Sequence, residues 1–336
     1  MVDFTVFKGS KGGAIQKATT TRTVGPHEVL VEVTHSGLCG TDAHFKEAPV
    51  GLGHEGAGTV KEIGERATLF KVGDRVGWGY QHDACGHCKQ CLTGTETLCP
   101  ERKMFGESDL DQGSMATAAV WNENFLFKIP DSIENKFAAP LMCGGATVWN
   151  VLSMYNVRSS DRVGVLGVGG LGHLAIQFAA KMGCEVVVFS STDSKKEEAM
   201  KLGASEFYAT KGLKEIKVEK PVNHLLVTTS FNPDWNLYLP VMAPGGTIYP
   251  LTVADIDFAI PQMGLLAYAL RVQGSVVAPR AIQKEMLVFA GHHGIKPLIE
   301  EFPMDVEGIE KAFKHLEDGH MRYRGVIVNS ETKPNL

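Results

Sequence analysis

The chain has 336 residues, of which 44% are apolar and 21% charged, with a formal net charge of −5. Such a length favours two domains, and the composition is that of an ordinary globular protein. The charge gives no electrostatic basis for binding nucleic acid or an anionic membrane. Because neither an apolar signal segment nor a run of membrane-spanning length is visible, we expect a cytoplasmic protein without a membrane partner.

The first part of the sequence predicts a β-rich domain over residues 1–145. Residues 28–35 alternate apolar and polar side chains, as a half-buried strand does, and residues 37–42 form a turn-rich break. Further strands are predicted after His54 and near residues 73–76. Many short strands joined by glycine turns indicate a β architecture for this part of the chain.

Helices alternate with strands from residue 146, which predicts a second, α/β domain over 146–281 with a doubly wound parallel sheet. Its predicted strands are 161–166, 185–189, 222–228, 245–249 and 272–277. Two helices at 281–293 and 305–318 and a strand at 325–328 follow. These are too few elements for a third domain, so we expect residues 282–336 to return to the first.

A glycine-rich turn joins the strand 161–166 to a helix that ends near Gly183, and a second strand follows. In this βαβ setting the turn lets a pyrophosphate approach the backbone at the helix N-terminus. The residues assigned to dinucleotide binding are Gly167, Gly169, Gly170, Leu171 and Gly172. The alternative is an α/β core that binds no phosphate.

The end of the second strand indicates which dinucleotide binds. An acidic residue there would hold the ribose 2′-hydroxyl of NAD. The chain instead has Ser190, Ser191, Thr192 and Lys195, whose hydroxyls and charge can accept the 2′-phosphate of NADP(H). Asp193 is the exception, and we interpret it as the N-cap of a helix that starts at Ser194.

Four cysteines lie within one short segment, at Cys85, Cys88, Cys91 and Cys99. Four thiolates this close in sequence can form a tetrahedron with Zn–S bonds of roughly 2.3 Å. Such a site has no open position, so it predicts a structural zinc ion. The alternative is four free thiols on a loop.

A second possible metal site is dispersed along the chain. Its members are Cys39, His54, Glu55 and Cys143. Two thiolates and one imidazole would hold a catalytic zinc ion with one position open for a substrate oxygen. Each of these residues taken alone is more typical of core packing.

These sequences together resemble the zinc-containing medium-chain alcohol dehydrogenases, in particular their cinnamyl alcohol dehydrogenase-like branch. The resemblance covers nearly the whole chain and depends on residues 37–42, 53–55, 85–99, 139–148, 167–172 and 322–324. It implies a GroES-like β-rich catalytic domain joined to a Rossmann domain, two zinc ions per chain, NADP(H) and a homodimer.

The resemblance also implies roles for single residues. Cys39, His54 and Cys143 match the catalytic zinc ligands, and Glu55 matches a carboxylate beside the metal. The remaining matches are Thr41, which bonds the substrate oxygen, His44, which relays a proton to solvent, Thr147, which packs on the nicotinamide, and Arg324, which binds the pyrophosphate. Trp78 and Tyr80 match a region that contributes to the substrate pocket, and Leu265 of the second domain is a further candidate, with ordinary core packing as the alternative for each.

The expected function is an NADPH-dependent aldehyde reductase or alcohol dehydrogenase for a medium-sized apolar or aromatic substrate. One alternative is reduction of a conjugated C=C bond or an iminium in a biosynthetic pathway, and another is a non-enzymatic binding protein on the same scaffold. Between Cys39 and His54 there are only 14 residues, fewer than the branch usually has. We expect this short loop to widen the pocket entrance.

Overall fold

The computed structural model describes residues 1–254 and 256–330. Within this part the chain forms two compact units. Unit 1 consists of Met1–Ala146 together with the segment that begins at Val277, and unit 2 is Thr147–Val276. The sequence predicts domain boundaries after residues 145 and 281, and these stay predictions.

Strands and helices are numbered here along the described chain. The strands are β1 (Val2–Lys8), β2 (Gln16–Arg22), β3 (Glu28–Leu38), β4 (Gly56–Ile63), β5 (Arg75–Trp78), β6 (Gln81–Asp83), β7 (Lys103–Met104), β8 (Ala118–Asn122), β9 (Phe127–Lys128), β10 (Arg162–Leu166), β11 (Glu185–Ser190), β12 (Glu206–Ala209), β13 (Val222–Val227), β14 (Met242–Pro250), β15 (Arg271–Val272), β16 (Ile299–Pro303) and β17 (Arg324–Val328). The helices are α1 (Gly40–Phe45), α2 (Lys89–Leu92), α3 (Asn135–Pro140), α4 (Ala146–Met154), α5 (Gly172–Met182), α6 (Lys196–Lys201), α7 (Trp235–Tyr238), α8 (Gln262–Tyr268), α9 (Arg280–His293) and α10 (Val306–Glu317).

Unit 1 is built on a seven-stranded sheet in the order β16-β17-β3-β4-β5-β9, with β8 also paired to β3. Strand β3 is its centre, because β4, β8 and β17 all pair antiparallel to it. Phe302, Ile309 and Phe313 of the returning segment are buried with Phe7 and Leu38 of the first. The last part of the chain thus completes the core of unit 1.

Unit 2 contains a six-stranded parallel sheet in the order β12-β11-β10-β13-β14-β15. Numbered from β10, this is the strand order 3-2-1-4-5-6 of the Rossmann fold. The last strand is much shorter than the predicted 272–277, since β15 ends at Val272. In the residues that follow, the carbonyl of Gly274 accepts from the Tyr155 hydroxyl, and Ser275 accepts from Asn150, so side chains take the place of strand pairing.

In unit 2 the predicted C-terminal end of α5 agrees with the structure, whereas the predicted start of α6 does not. Helix α5 ends at Met182 and is capped by Gly183, whose φ of 98° lies in the left-handed region expected of a glycine C-cap. The interpretation of Asp193 as an N-cap is wrong, because helix α6 begins only at Lys196 and Asp193 lies inside a short 3₁₀ turn. The hydroxyl groups of Thr192 and Ser194 bond each other at 2.9 Å at this turn.

A continuous helical stretch, Asn135–Met154, is long and apolar enough to cross a membrane by length and composition, contrary to the sequence expectation. Its most apolar window is 83% buried within the protein. Burial of this kind is typical of a core helix, and the stretch gives no support for a membrane partner. Its middle turn, Leu141–Gly145, widens to a π-helical turn.

Candidate metal centres and dinucleotide site

The lobe cluster consists of Cys85, Cys88, Cys91 and Cys99, which the structure brings together on one loop. Neighbouring sulfurs lie 3.9 Å apart for Cys85 and Cys91, 3.5 Å for Cys88 and Cys91, and 3.6 Å for Cys99 and Cys85. A tetrahedron with Zn–S bonds of about 2.3 Å has sulfurs about 3.8 Å apart. The four thiols therefore fit a closed zinc site.

Backbone N–H groups further support thiolates in the lobe cluster. The amide of Cys88 donates to the Cys85 sulfur at 3.3 Å, and the amide of Glu101 donates to the Cys99 sulfur at 3.3 Å. Hydrogen bonds from the backbone of His87 and Cys88 lower the pKa of the Cys85 thiol to about 6. Donors of this kind stabilise the charged form that binds metal.

The dispersed cluster consists of Cys39, His54, Glu55 and Cys143, whose ligand atoms all lie within 4.8 Å of one another. Three different elements supply the two thiols and the imidazole. Cys39 precedes α1, His54 precedes β4, and Cys143 lies in the π-helical turn between α3 and α4. Widened turns of this type are frequent at functional sites.

The donor atoms of the dispersed cluster fit a metal ion. His54 Nε2 is fully buried and has no hydrogen-bond partner among the described residues. A hydrogen bond from the Cys143 thiol, with the positive charge of Arg324, lowers the pKa of Cys39 well below its ordinary value. A buried imidazole nitrogen without a partner, aimed at two thiols, is the arrangement that zinc would satisfy.

The sequence analysis missed Asp42, which orients this cluster. Its fully buried carboxylate accepts from the amides of Cys39 and Gly53, both at 3.0 Å, and lies 3.1 Å from His54 Nδ1. A proton held on Nδ1 leaves Nε2 as the ligand atom. Its position, three residues after Cys39 at the start of a helix, is a capping-box pattern that could have indicated the contact to Cys39 but not the one to His54.

Glu55 and Arg324 form a buried ion pair beside the thiols. Burial raises the pKa of Glu55 to about 7, although the Arg324 guanidinium acts in the opposite direction. The Oε1 atom of Glu55 lies 3.9 Å from His54 Nε2. Arg324 thus pairs with Glu55 in the structure, and its contact with a pyrophosphate stays a prediction.

Helix α1 presents two further predicted residues directly after Cys39. Thr41 is half-buried and His44 is exposed. Residues three apart on a helix lie on the same face. Their order, from the half-buried Cys39 through a half-buried hydroxyl to an exposed imidazole, suits a proton path to solvent.

The predicted pocket residues have different surroundings. Trp78 is fully buried and packs against Trp121 in the core of unit 1, with ring centroids 5.3 Å apart, and its pocket role stays a prediction. Tyr80 is half-buried, with its ring 5.3 Å from that of His54 in an edge-on arrangement. Leu265 is half-buried on α8 of unit 2, and its pocket role stays a prediction.

The glycine turn of unit 2 follows β10 and leads into α5. Gly167 has a φ of 96°, and a Cβ there would lie 2.9 Å from the Thr229 methyl group. A Cβ on Gly169 would meet nothing within 4 Å, so this part of the turn is open. Positive φ in the turn and an open backbone after it are what a bound pyrophosphate requires.

The strand tip beside this turn carries hydroxyls and a lysine. Ser190 is buried at the end of β11, whereas Ser191 and Thr192 are exposed. Lys195 Nζ donates to the carbonyl of Val168 in the glycine turn at 2.7 Å. The cation is thereby held beside the turn, next to two exposed hydroxyls. Thr147 is buried in α4 of the same unit.

Comparisons with known proteins agree with both units. The alcohol dehydrogenase GroES-like domain matches residues 25–131, and the zinc-binding dehydrogenase family matches residues 170–290. The NADP-dependent alcohol dehydrogenase C 1 of Mycolicibacterium smegmatis is 35% identical over 92% of this chain and 92% of its own. Among solved structures, a cinnamyl alcohol dehydrogenase from Sorghum bicolor covers 100% of both chains, with a TM-score of 0.89 and 29% identity. The CAD from Helicobacter pylori complexed with NADP(H) covers 99% of both, with a TM-score of 0.88 and 27% identity.

These similarities extend over nearly the whole chain, and they agree with the parallel sheet of unit 2 and the clustered thiols of unit 1. The chain therefore belongs to the zinc-containing medium-chain alcohol dehydrogenases, in their cinnamyl alcohol dehydrogenase-like branch.

Proposed function

We propose that the protein is a zinc- and NADP(H)-dependent alcohol dehydrogenase that reduces medium-sized apolar or aromatic aldehydes. The observation that carries this proposal is the dispersed cluster, in which two thiols and an unpartnered imidazole nitrogen converge. Three protein ligands leave a tetrahedral metal with one open position, as catalytic zinc sites do. The M. smegmatis relative, named as an NADP-dependent alcohol dehydrogenase, supports the same reaction.

Cys39, His54 and Cys143 would hold the catalytic zinc ion, and the lobe cluster would hold the structural one. When bound, zinc supplies a Lewis acid for a carbonyl oxygen and NADPH supplies the hydride. Asp42 keeps the His54 proton on Nδ1, so that Nε2 stays available for the metal. Glu55 and Arg324 form an ion pair that is buried beside the thiols, so water screens its charges little.

Proton delivery belongs to helix α1. The Thr41 hydroxyl can donate to the oxygen that becomes the alcohol, and His44 can replace that proton from solvent. Thr41 is half-buried and His44 is exposed, which supports this direction. Removing the imidazole in His44→Ala should slow turnover while zinc content stays unchanged.

The preference for NADP(H) depends on the tip of β11. Ser191 and Thr192 offer exposed hydroxyls, and Lys195 is held beside the glycine turn by the Val168 carbonyl. Hydroxyls and a cation suit a phosphate group, whereas an NAD enzyme would place a carboxylate here. The H. pylori structure, solved with NADP(H), supports this assignment.

Aromatic side chains next to His54 support an apolar substrate. The rings of Tyr80 and Phe105 lie 5.3 Å and 4.9 Å from the imidazole, and Phe45 packs edge-on against Phe105 at 5.1 Å. Burial raises the pKa of Tyr80 to about 12, so its hydroxyl stays protonated. Burying apolar substrate surface against these rings contributes about 25 cal/mol per Å² to the binding free energy. A two-carbon aldehyde has little apolar surface to bury, so it gains less. The relatives named above do not favour reduction of a C=C bond or an iminium.

A homodimer formed through unit 2 is part of the proposal. Strand β15 is at the edge of the sheet. Several apolar side chains close to it in sequence are exposed, with exposed fractions of 71% for Met263, 64% for Leu266, 44% for Val272 and 41% for Val276. Pairing with a second copy would cover an open sheet edge. Light scattering should give about twice the 36.4 kDa of the chain, and a monomer at micromolar concentration would contradict this part.

A reducing compartment, the cytoplasm, is proposed from the cysteines. The seven cysteines of the described residues are free thiols, and six of them belong to the two clusters. Thiols that serve as metal ligands are typical of a reducing environment.

The test is a steady-state assay with metal analysis of the same preparation. We expect two zinc ions per chain, a higher kcat/KM with NADPH than with NADH, and a higher kcat/KM for cinnamaldehyde than for acetaldehyde. Product analysis should give cinnamyl alcohol, and a saturated aldehyde would instead show C=C reduction. Equal efficiency with both cofactors, or a single zinc ion, would contradict the corresponding part of the proposal.

A further inference from the structure

The side chain of Gln283 contacts the backbone next to a predicted zinc ligand. Gln283 lies in the first turn of α9 and is only 3% exposed. Its Nε2 donates to the carbonyl of Met142 at 3.0 Å and lies 3.5 Å from the Met142 sulfur. Met142 directly precedes Cys143 in the π-helical turn, so this amide holds the turn that presents the thiol.

The Met142 carbonyl and the Gln283 amide lie in a crowded, buried region. A Cβ on Gly79 would lie 2.6 Å from that oxygen and 3.8 Å from Gln283 Nε2. A side chain at residue 79 would therefore have to displace the carbonyl, whereas its contact with the amide would be an ordinary one. Because the region is buried, a carbonyl that loses its donor there also lacks water as a replacement.

The start of α9 is itself fixed to the lobe. The Glu96 carboxylate, 3% exposed, accepts from the backbone amide of Arg280 at 2.7 Å and from its side-chain Nε at 2.9 Å. Glu96 lies three residues before Cys99. One helical turn therefore contacts the lobe through Arg280 and the π-helical turn through Gln283.

We propose that Gln283 is a positioning residue for the thiolate of Cys143, and that the first turn of α9 holds the π-helical turn at a fixed place relative to the lobe. This inference rests on the proposed function, because it assumes a metal ion at the dispersed cluster. Gln283 is not one of the donors of the dispersed cluster, and its amide contacts Met142 instead. It acts by fixing the carbonyl one residue before the ligand, as outer residues of metal sites do.

The test compares three variants of the full-length protein after replacement of zinc by Co²⁺. Gln283→Met removes the donor at similar volume, Gln283→Glu removes it at nearly the same shape, and Lys284→Ala is the control at an exposed position of the same helix. Thiols are present in both clusters, so cobalt is introduced at the dispersed cluster alone while the lobe cluster keeps zinc, and the thiolate-to-cobalt charge-transfer absorption then reports the dispersed cluster. We expect both Gln283 variants to shift this absorption and to lose metal from the dispersed cluster to a chelator about 10–100-fold more readily.

The lobe cluster should keep its metal in all three variants, and kcat should fall while KM stays near the wild-type value. Gln283 variants that match Lys284→Ala in spectrum and chelator sensitivity would overturn the inference. It would also be overturned if both variants lost the metals of the two clusters together with the fold, since the role of Gln283 would then be in general stability. Wild-type protein that binds no Co²⁺ outside the lobe would instead refute the proposed function.

Discussion

The two metal clusters of unit 1 differ in how much of the chain they require. The lobe cluster lies within residues 85–99, whereas the dispersed cluster takes ligands from residues as far apart as Cys39 and Cys143. The first can form from a loop that closes on itself. The second exists only when α1, the loop before β4 and the π-helical turn have all been placed by the sheet and by α9.

This difference separates two functions of a metal ion. A site formed by one segment contributes to the stability of that segment, because its ligands are brought together by binding itself. A site assembled from distant elements is pre-organised by the fold, so a small change in its supports alters geometry before it alters stability. The two clusters should therefore respond differently to the same chemical change.

The largest effect is expected for the Cys39→Ser substitution in the dispersed cluster. Loss of this ligand should remove the catalytic metal and lower kcat by about 10⁴-fold, since a Lewis acid contributes several kcal/mol to this kind of step. The melting temperature should change little. Steady-state kinetics and metal analysis measure both results, and Cys184→Ser, a buried cysteine outside both clusters, is the control. Full activity of Cys39→Ser would contradict the assignment.

Cys91→Ser in the lobe cluster should have the reverse profile. Loss of the closed site should reduce the free energy of unfolding by about 4 kcal/mol, because metal binding there contributes to folding. Chemical denaturation measured in parallel with Cys39→Ser gives the comparison directly. If Cys39→Ser proved the more destabilising of the two, the distinction between a structural and a catalytic cluster would be lost.

Asp42→Asn should lower activity less than Cys39→Ser does, because it removes a support of the dispersed cluster and not a ligand. The carboxylate accepts from Cys39 and Gly53 and faces His54 Nδ1, and an amide would turn an N–H toward at least one of these donors. We expect metal affinity at the dispersed cluster, and with it kcat/KM, to fall by about 10–100-fold. Glu47→Gln, at an exposed position nearby in sequence, should have no effect. An unchanged chelator rate in Asp42→Asn would show that this carboxylate does not orient His54.

The same contrast explains how much the sequence predicted. The glycine turn at Gly167 and the lobe cluster were predicted because all their determinants are contiguous. Asp42 was missed because its contact to His54 depends on the fold. Strand β15 ends at Val272, and the residues after it bond Tyr155 and Asn150, which are far away in sequence and which local patterning does not indicate.

The smallest effect is expected at the tip of β11, where local determinants act again. Ser191 is exposed there, and removing its hydroxyl in Ser191→Ala should delete one hydrogen bond to the 2′-phosphate. A hydrogen bond to a charged group contributes about 1.5 kcal/mol or more, so KM for NADPH should rise about 10-fold. KM for NADH should stay the same, because NADH has no phosphate at this position. Ser205→Ala, at a serine of unit 2 outside the strand tip, is the matched control. Equal changes in KM for both cofactors would show that Ser191 supports the shape of the site and does not discriminate between NADPH and NADH. The hydroxyls at the tip of β11 would then not predict a preference for NADPH.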